Sequence, residues 1–144
     1  MNYFELTRRL SVRALCIATL FSPLGALAAD LSLRIVNAPI PSVLYVALFD
    51  SAGGYSSRTA LASKKVPVEA EATELAFPGL APGRYAVRVF ADENGNAALD
   101  TNLLGIPVER YGFSNDAKGN FGPPEFDAAA VSLDADARII VHLR

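Results

Sequence analysis

The chain has 144 residues, 51% hydrophobic and 19% charged, with thirteen Lys and Arg against fifteen Asp and Glu and a formal net charge of −2. That length suits one domain with a single core. The acidic balance, with no basic run, offers no electrostatic footprint for nucleic acid or an anionic membrane, and one cysteine cannot form an internal disulfide.

Arg8, Arg9 and Arg13 form a positive opening, residues 14–24 are apolar, and Ala26-Leu27-Ala28 fits a small-x-small cleavage pattern. Residues 1–29 are therefore expected to be a helical signal peptide cleaved near Ala28, and residues 30–144 the domain. The apolar run is shorter than the ~20 residues of a spanning helix, so no stable membrane insertion is expected after cleavage. Cys16 starts the apolar run rather than ending it, which argues against a lipid anchor and leaves no thiol after cleavage. The expected location is periplasmic or secreted. Loss of three arginines and one glutamate with the leader leaves ten basic against fourteen acidic residues.

Period-two patterning follows. Leu31, Leu33 and Ile35 alternate with polar neighbours, and residues 43–49 are a continuous apolar run suited to a central strand. Residues 62–68 carry Lys64, Lys65 and Pro67, the marks of an edge strand. Glu71, Thr73, Leu75 and Phe77 share a face, as do Tyr85, Val87 and Val89. Ala129, Val131 and Leu133, then Ile139, Val141 and Leu143, supply the last two strands. No segment after the leader shows helical periodicity. The fold expected is all-β, a single antiparallel sandwich of about seven strands with one long ordered loop.

Pro82-Gly83 reverses the chain and sets Tyr85 just inside the next strand, where a tyrosine can bury its ring and return its hydroxyl to nearby backbone. The L-x-P-G-x-Y-x-V-x-V pattern resembles prealbumin-like, or transthyretin-like, sandwiches, which implies a fold and no activity.

Residues 91–126 are too rich in turn formers for regular structure and too patterned for disorder, and long ordered loops usually carry function. Asp92, Asn94, Asn96 and Asp100 place oxygens at relative positions 1, 3, 5 and 9, with the Ala98 carbonyl at position 7, a spacing that suits Ca2+. The match is partial, since Ala97 stands where an EF-hand-type loop has glycine and Leu103 where it has a bidentate acid. Two carboxylates imply affinity of ~10⁻⁴ to 10⁻³ M. The alternative is an Asx-rich turn whose side chains bond neighbouring amides. Farther on, Tyr111, Phe113, Asn115 and Phe121 form a candidate ligand surface for sugar or peptide; the alternative is a set of rings that pin the loop to the sandwich.

The residues 83–87, Asp92-Glu93-Asn94-Gly95-Asn96, Leu99-Asp100-Thr101-Asn102, Gly105-Ile106-Pro107, Glu109, Tyr111-Gly112-Phe113-Ser114-Asn115 and Phe121-Gly122-Pro123-Pro124 together resemble the bacterial domain-of-unknown-function family 2141. The resemblance covers most of the domain and implies a secreted or periplasmic single-domain β protein, with no reaction attached. The family pattern has a histidine before the D-E-N-G-N run and a glycine after it, where this chain has Ala91 and Ala97. A role that depends on that histidine does not carry over.

Catalytic signals are sparse. His142 is the single histidine, on the outward phase of the last strand, and no G-x-S-x-G motif is present. The sequence therefore favours a binding or structural module, with an unknown cell-envelope glycan or protein as partner and Ca2+ as an ordering ion. A carbohydrate-active envelope enzyme using Asp92 and Asp100 is the alternative, as is a subunit of an envelope assembly joined through the edge near Lys64 and Lys65.

Overall fold

The computed structural model describes residues 27–144; the expected signal peptide lies almost wholly outside them. Eight strands are present among the described residues: β1 (Ala29–Val36), β2 (Val43–Phe49), β3 (Ala62–Pro67), β4 (Ala72–Leu80), β5 (Gly83–Asp92), β6 (Tyr111–Phe113), β7 (Val131–Leu133) and β8 (Ala137–His142). They form two sheets, a three-stranded one ordered β4-β1-β8 and a five-stranded one ordered β3-β2-β5-β6, with β7 on β5 as well. Seven strands match the expected set, and the eighth, β6, lies inside the stretch expected to be loop.

The two sheets enclose one core. Leu31, Leu33 and Ile35 from β1, Leu44, Val46 and Leu48 from β2, Val87 and Val89 from β5, Leu133 from β7 and Val141 from β8 are buried together. Alternation along each strand sends these side chains to one side, as the sequence pattern requires. The sheets are joined at one corner, where Tyr111 and Arg144 exchange backbone hydrogen bonds of 3.2 and 3.0 Å and so tie β6 to the end of β8. The Tyr85 hydroxyl donates to the Ala81 carbonyl at 2.7 Å, closing the turn before β5 as expected.

Three expectations need correction. The fold is not purely antiparallel, because β8 runs parallel to β1 from Leu31↔Ala137 to Val36↔His142. Parallel pairing needs a long crossover, and the whole five-stranded sheet intervenes between the two strands. Helices are also present: α1 (Ala52–Ser57) and α2 (Phe126–Ala129). Neither is long enough to show a 3.6-residue period; α1 forms because Ser51 caps it, accepting from the Gly54 amide, and because Tyr55 is buried. Finally, Ala129 ends α2 rather than starting a strand.

These short helices give the five-stranded sheet a second packed side. Phe49, Tyr55, Ala86, Phe113, Ala117, Phe126 and Ala129 form a separate buried cluster on its outer face. Ser114 anchors it, accepting from the Val87 amide at 2.8 Å and donating to the Ala129 carbonyl. The helices cover only one end of that face. The other end, bordered by residues 92–109, is left partly open. No helix among the described residues is long and apolar enough to cross a membrane.

Candidate functional site

The five residues expected to hold a metal lie in one turn, and its side-chain oxygens are engaged by amides of that same turn. The Asp92 carboxylate accepts from the amides of Gly95 at 2.7 Å and Ala97 at 2.9 Å. Burial opposes its charge, yet the amides of Ala97, Gly95, Asn96 and Asn94 outweigh that and hold its carboxyl below the ordinary range. Asp100 accepts from the side-chain amides of Asn94 and Asn96, and the Asn96 oxygen accepts from the Ala98 amide at 2.9 Å. Glu109, which is buried, closes the turn from beneath: one oxygen accepts from the Glu93 amide at 2.9 Å and the other from the Asp100 amide at 3.1 Å. Gly95 and Ala97 both take positive φ, 82° and 62°. Among the described residues no three His, Cys, Asp or Glu side chains converge as a metal-binding cluster.

The expected ligand surface does not assemble as one patch. Phe113 is buried in the outer cluster. Asn115 donates to the carbonyls of Ala130 at 2.8 Å and Ala128 at 3.4 Å, joining two loop segments. Phe121 projects fully into solvent from a residue of positive φ. Tyr111 alone presents a half-exposed ring, standing edge-on to Phe113.

Tyr111 belongs instead to a row that the sequence reading missed. Register places Lys65 opposite Tyr45, Tyr45 opposite Phe90, and Phe90 opposite Tyr111, one position from each of four adjacent strands. All three rings are partly exposed on the outer face of the five-stranded sheet. Tyr45 and Phe90 stack with centroids 5.0 Å apart and planes 5° from parallel. A cation caps each end: Lys65 Nζ is 5.0 Å from the Tyr45 ring centroid and the Arg144 guanidinium 5.2 Å from that of Tyr111. The Tyr45 hydroxyl raises the Lys65 pKa, and Asp92 adds to the effect. The signal was present in the strand phase, since Tyr45 and Phe90 are large aromatics at outward positions.

The next row inward is different. Ala47 lies opposite Arg88, which lies opposite Phe113. The Arg88 guanidinium sits 3.7 Å from the Tyr55 ring centroid and 5.3 Å from that of Phe49. Burial raises the Tyr55 hydroxyl pKa, with Arg88 offsetting part of the rise. The face thus offers the exposed edges of a stacked ring pair and the Tyr111 ring, small side chains beside them, and guanidinium and ammonium groups around them.

Comparison with known proteins adds a family and no activity. No curated protein and no solved structure matches the chain. A family model matches residues 40–140, from just before β2 into β8, and includes every residue of the aromatic row except Arg144. The chain accordingly belongs to the bacterial family described as "uncharacterized protein conserved in bacteria (DUF2141)".

Proposed function

We propose that this protein is a periplasmic or secreted binding module that holds a cell-envelope glycan against Tyr45, Phe90 and Tyr111. The leader pattern of residues 1–29 supports the location, and β1 starts at Ala29, directly after the expected cleavage point. A prealbumin-like reading of the two sheets is supported by the Tyr85 hydroxyl on the Ala81 carbonyl.

One observation carries the glycan reading: the parallel stack of Tyr45 and Phe90 on a solvent-facing strip. A sugar ring has an apolar C–H face and a polar rim. Tyr45 and Phe90 face each other, so what they offer such a face is their exposed edges, held in place by strand pairing with little side-chain freedom left to lose. Asp92 and Asp100, with their oxygens engaged by amides, support a structural turn rather than an ion site or a catalytic pair.

Co-sedimentation of the purified protein with peptidoglycan sacculi tests the reading. Wild type is expected in the pellet, and Tyr45→Ala/Phe90→Ala, shown folded by circular dichroism, is expected to bind at least about tenfold more weakly. Equal sedimentation of both, or of neither, overturns it. Release of soluble carbohydrate that is lost in Asp92→Asn would favour the enzyme alternative.

A further inference from the structure

Four of the large hydrophobic side chains exposed among the described residues fall between residues 103 and 108: Leu103 is fully exposed, Leu104 83%, Val108 64% and Ile106 55%. Apolar residues scattered singly over a surface are ordinary, whereas a contiguous group marks a contact site. We infer that residues 100–108 form an apolar finger, separate from the glycan platform, that docks the protein on the surface of a zwitterionic lipid bilayer.

The finger is a short hairpin. Thr101 bridges to Pro107, the Asn102 amide donates to the Ile106 carbonyl at 2.8 Å, and the Val108 amide donates to the Asp100 carbonyl at 2.9 Å. At the tip, the Gly105 amide donates to the Asn102 carbonyl at 2.9 Å, and the Asn102 side chain accepts from the Leu104 and Ile106 amides at 2.9 and 3.1 Å. Gly105 takes a φ of 75°, which this tight reversal requires. The base is fixed by Glu109, which accepts from the Asp100 amide. An ordered backbone thus presents the four side chains, and docking costs it little further freedom.

Two features select lipid as the occupant. The first is how little the finger loses on leaving water. An amide without a partner is costly against hydrocarbon. The amides of Asn102, Leu104, Gly105, Ile106 and Val108 are all bonded within the hairpin, and Pro107 has none. Residues 101–108 carry no charged side chain, and amides hold the flanking carboxylates of Asp100 and Glu109 at the base. The second feature is size and composition. Four aliphatic side chains fall short of the roughly 800 Å² that each partner contributes to a standard protein interface. Residues 101–108 also lack the aromatic and arginine anchors of such interfaces. A fluid apolar phase needs no matching groove. The next cation along the chain, Arg110, donates to the Asn37 carbonyl, and the chain is acidic, so anionic headgroups add no attraction. Contact of this kind lies at the interface of one leaflet and does not span it.

The chain contains no tryptophan, so Leu104→Trp makes a single fluorescent reporter at the tip. Its emission is expected to shift to the blue when phosphatidylcholine vesicles are added, and to be quenched by lipids brominated on their acyl chains. Leu103→Asp in that background is expected to raise the lipid concentration at half-shift at least about tenfold. Leu61→Trp is the control: the Leu61 amide bonds the Leu48 carbonyl, at the far end of β2 from Val43 and its partner Asp92, and neither change is expected there. All three positions are exposed, so these variants remove no core contact. No shift of the Leu104→Trp emission with vesicles, an equal shift in Leu61→Trp, an unchanged midpoint in Leu103→Asp, or binding that requires phosphatidylglycerol overturns the inference. A blue shift that grows with protein concentration before lipid is added also overturns it, and shows that the tips pair with one another.

Discussion

The Tyr45 and Phe90 rings stack 5.0 Å apart on the solvent-facing side of two paired strands. Cross-strand aromatic pairs of this kind contribute roughly 0.2–1 kcal/mol to a sheet, less than the same rings would gain by full burial. Their exposure in a sheet whose other end is covered by α1 and α2 is what makes this strip the working surface of the account.

Removing Glu109 should loosen the turn it supports. Both of its carboxylate oxygens accept backbone amides, from Glu93 and Asp100. Glu109→Ala leaves those amides without partners and is expected to cost about 2–3 kcal/mol, read by urea denaturation. A change below about 0.5 kcal/mol would show that water replaces the carboxylate at no cost.

Ala97 sits at φ 62°, a conformation that disfavours any side chain. Ala97→Gly relieves that strain and is expected to raise stability by about 0.5–1 kcal/mol, net of glycine's greater freedom when unfolded. Lower stability in urea melts would mean that the Ala97 methyl makes packing contacts that outweigh the strain.

Much of this was legible beforehand, and the failures have physical causes. Alternation exposed the strands because each has one buried face, and Pro82-Gly83 with Tyr85 announced a corner that forms as expected. The short helices were invisible because a capped turn such as residues 51–57 has no room for a period. The continuous apolar run of residues 43–49 suited a central strand, and β2 does lie between β3 and β5, but such a run hides which residues face out: Val43, Tyr45 and Ala47 are partly exposed. Composition drew attention to the aromatics in the loop, but register between distant strands assembles the row, and one sequence does not reveal register. Tyr111 was found because it lies in the loop; Tyr45, Phe90 and Arg88 were missed because they lie in strands.

Acid should destabilise the protein through Asp92 and Asp116. Burial opposes the charge of Asp116 too, but the His142 amide and ring, with Arg144, hold its carboxyl below the ordinary range. A carboxyl whose folded pKa lies below its unfolded value, about 3.9, contributes fully above that value and loses its contribution as pH falls through the folded value. Thermal melts are therefore expected to be flat between about pH 7 and 5 and to drop below about pH 4. Asp92→Asn should flatten the acid limb; an unchanged slope would show that Asp92 contributes nothing to it.

Calcium should have little effect. Amides already engage Asp92 and Asp100, so about 1 mM Ca2+ is expected to shift Tm by less than about 1 °C. An upward shift that chelator reverses and Mg2+ does not reproduce would show instead that the turn opens to an ion.

The most direct test of the platform is a two-dimensional 15N NMR titration of the purified protein with peptidoglycan fragments. The account predicts shifts concentrated at Tyr45, Ala47, Arg88, Phe90 and Tyr111, lost in Tyr45→Ala/Phe90→Ala. Shifts confined to residues 92–109, or no shifts at all, would contradict it.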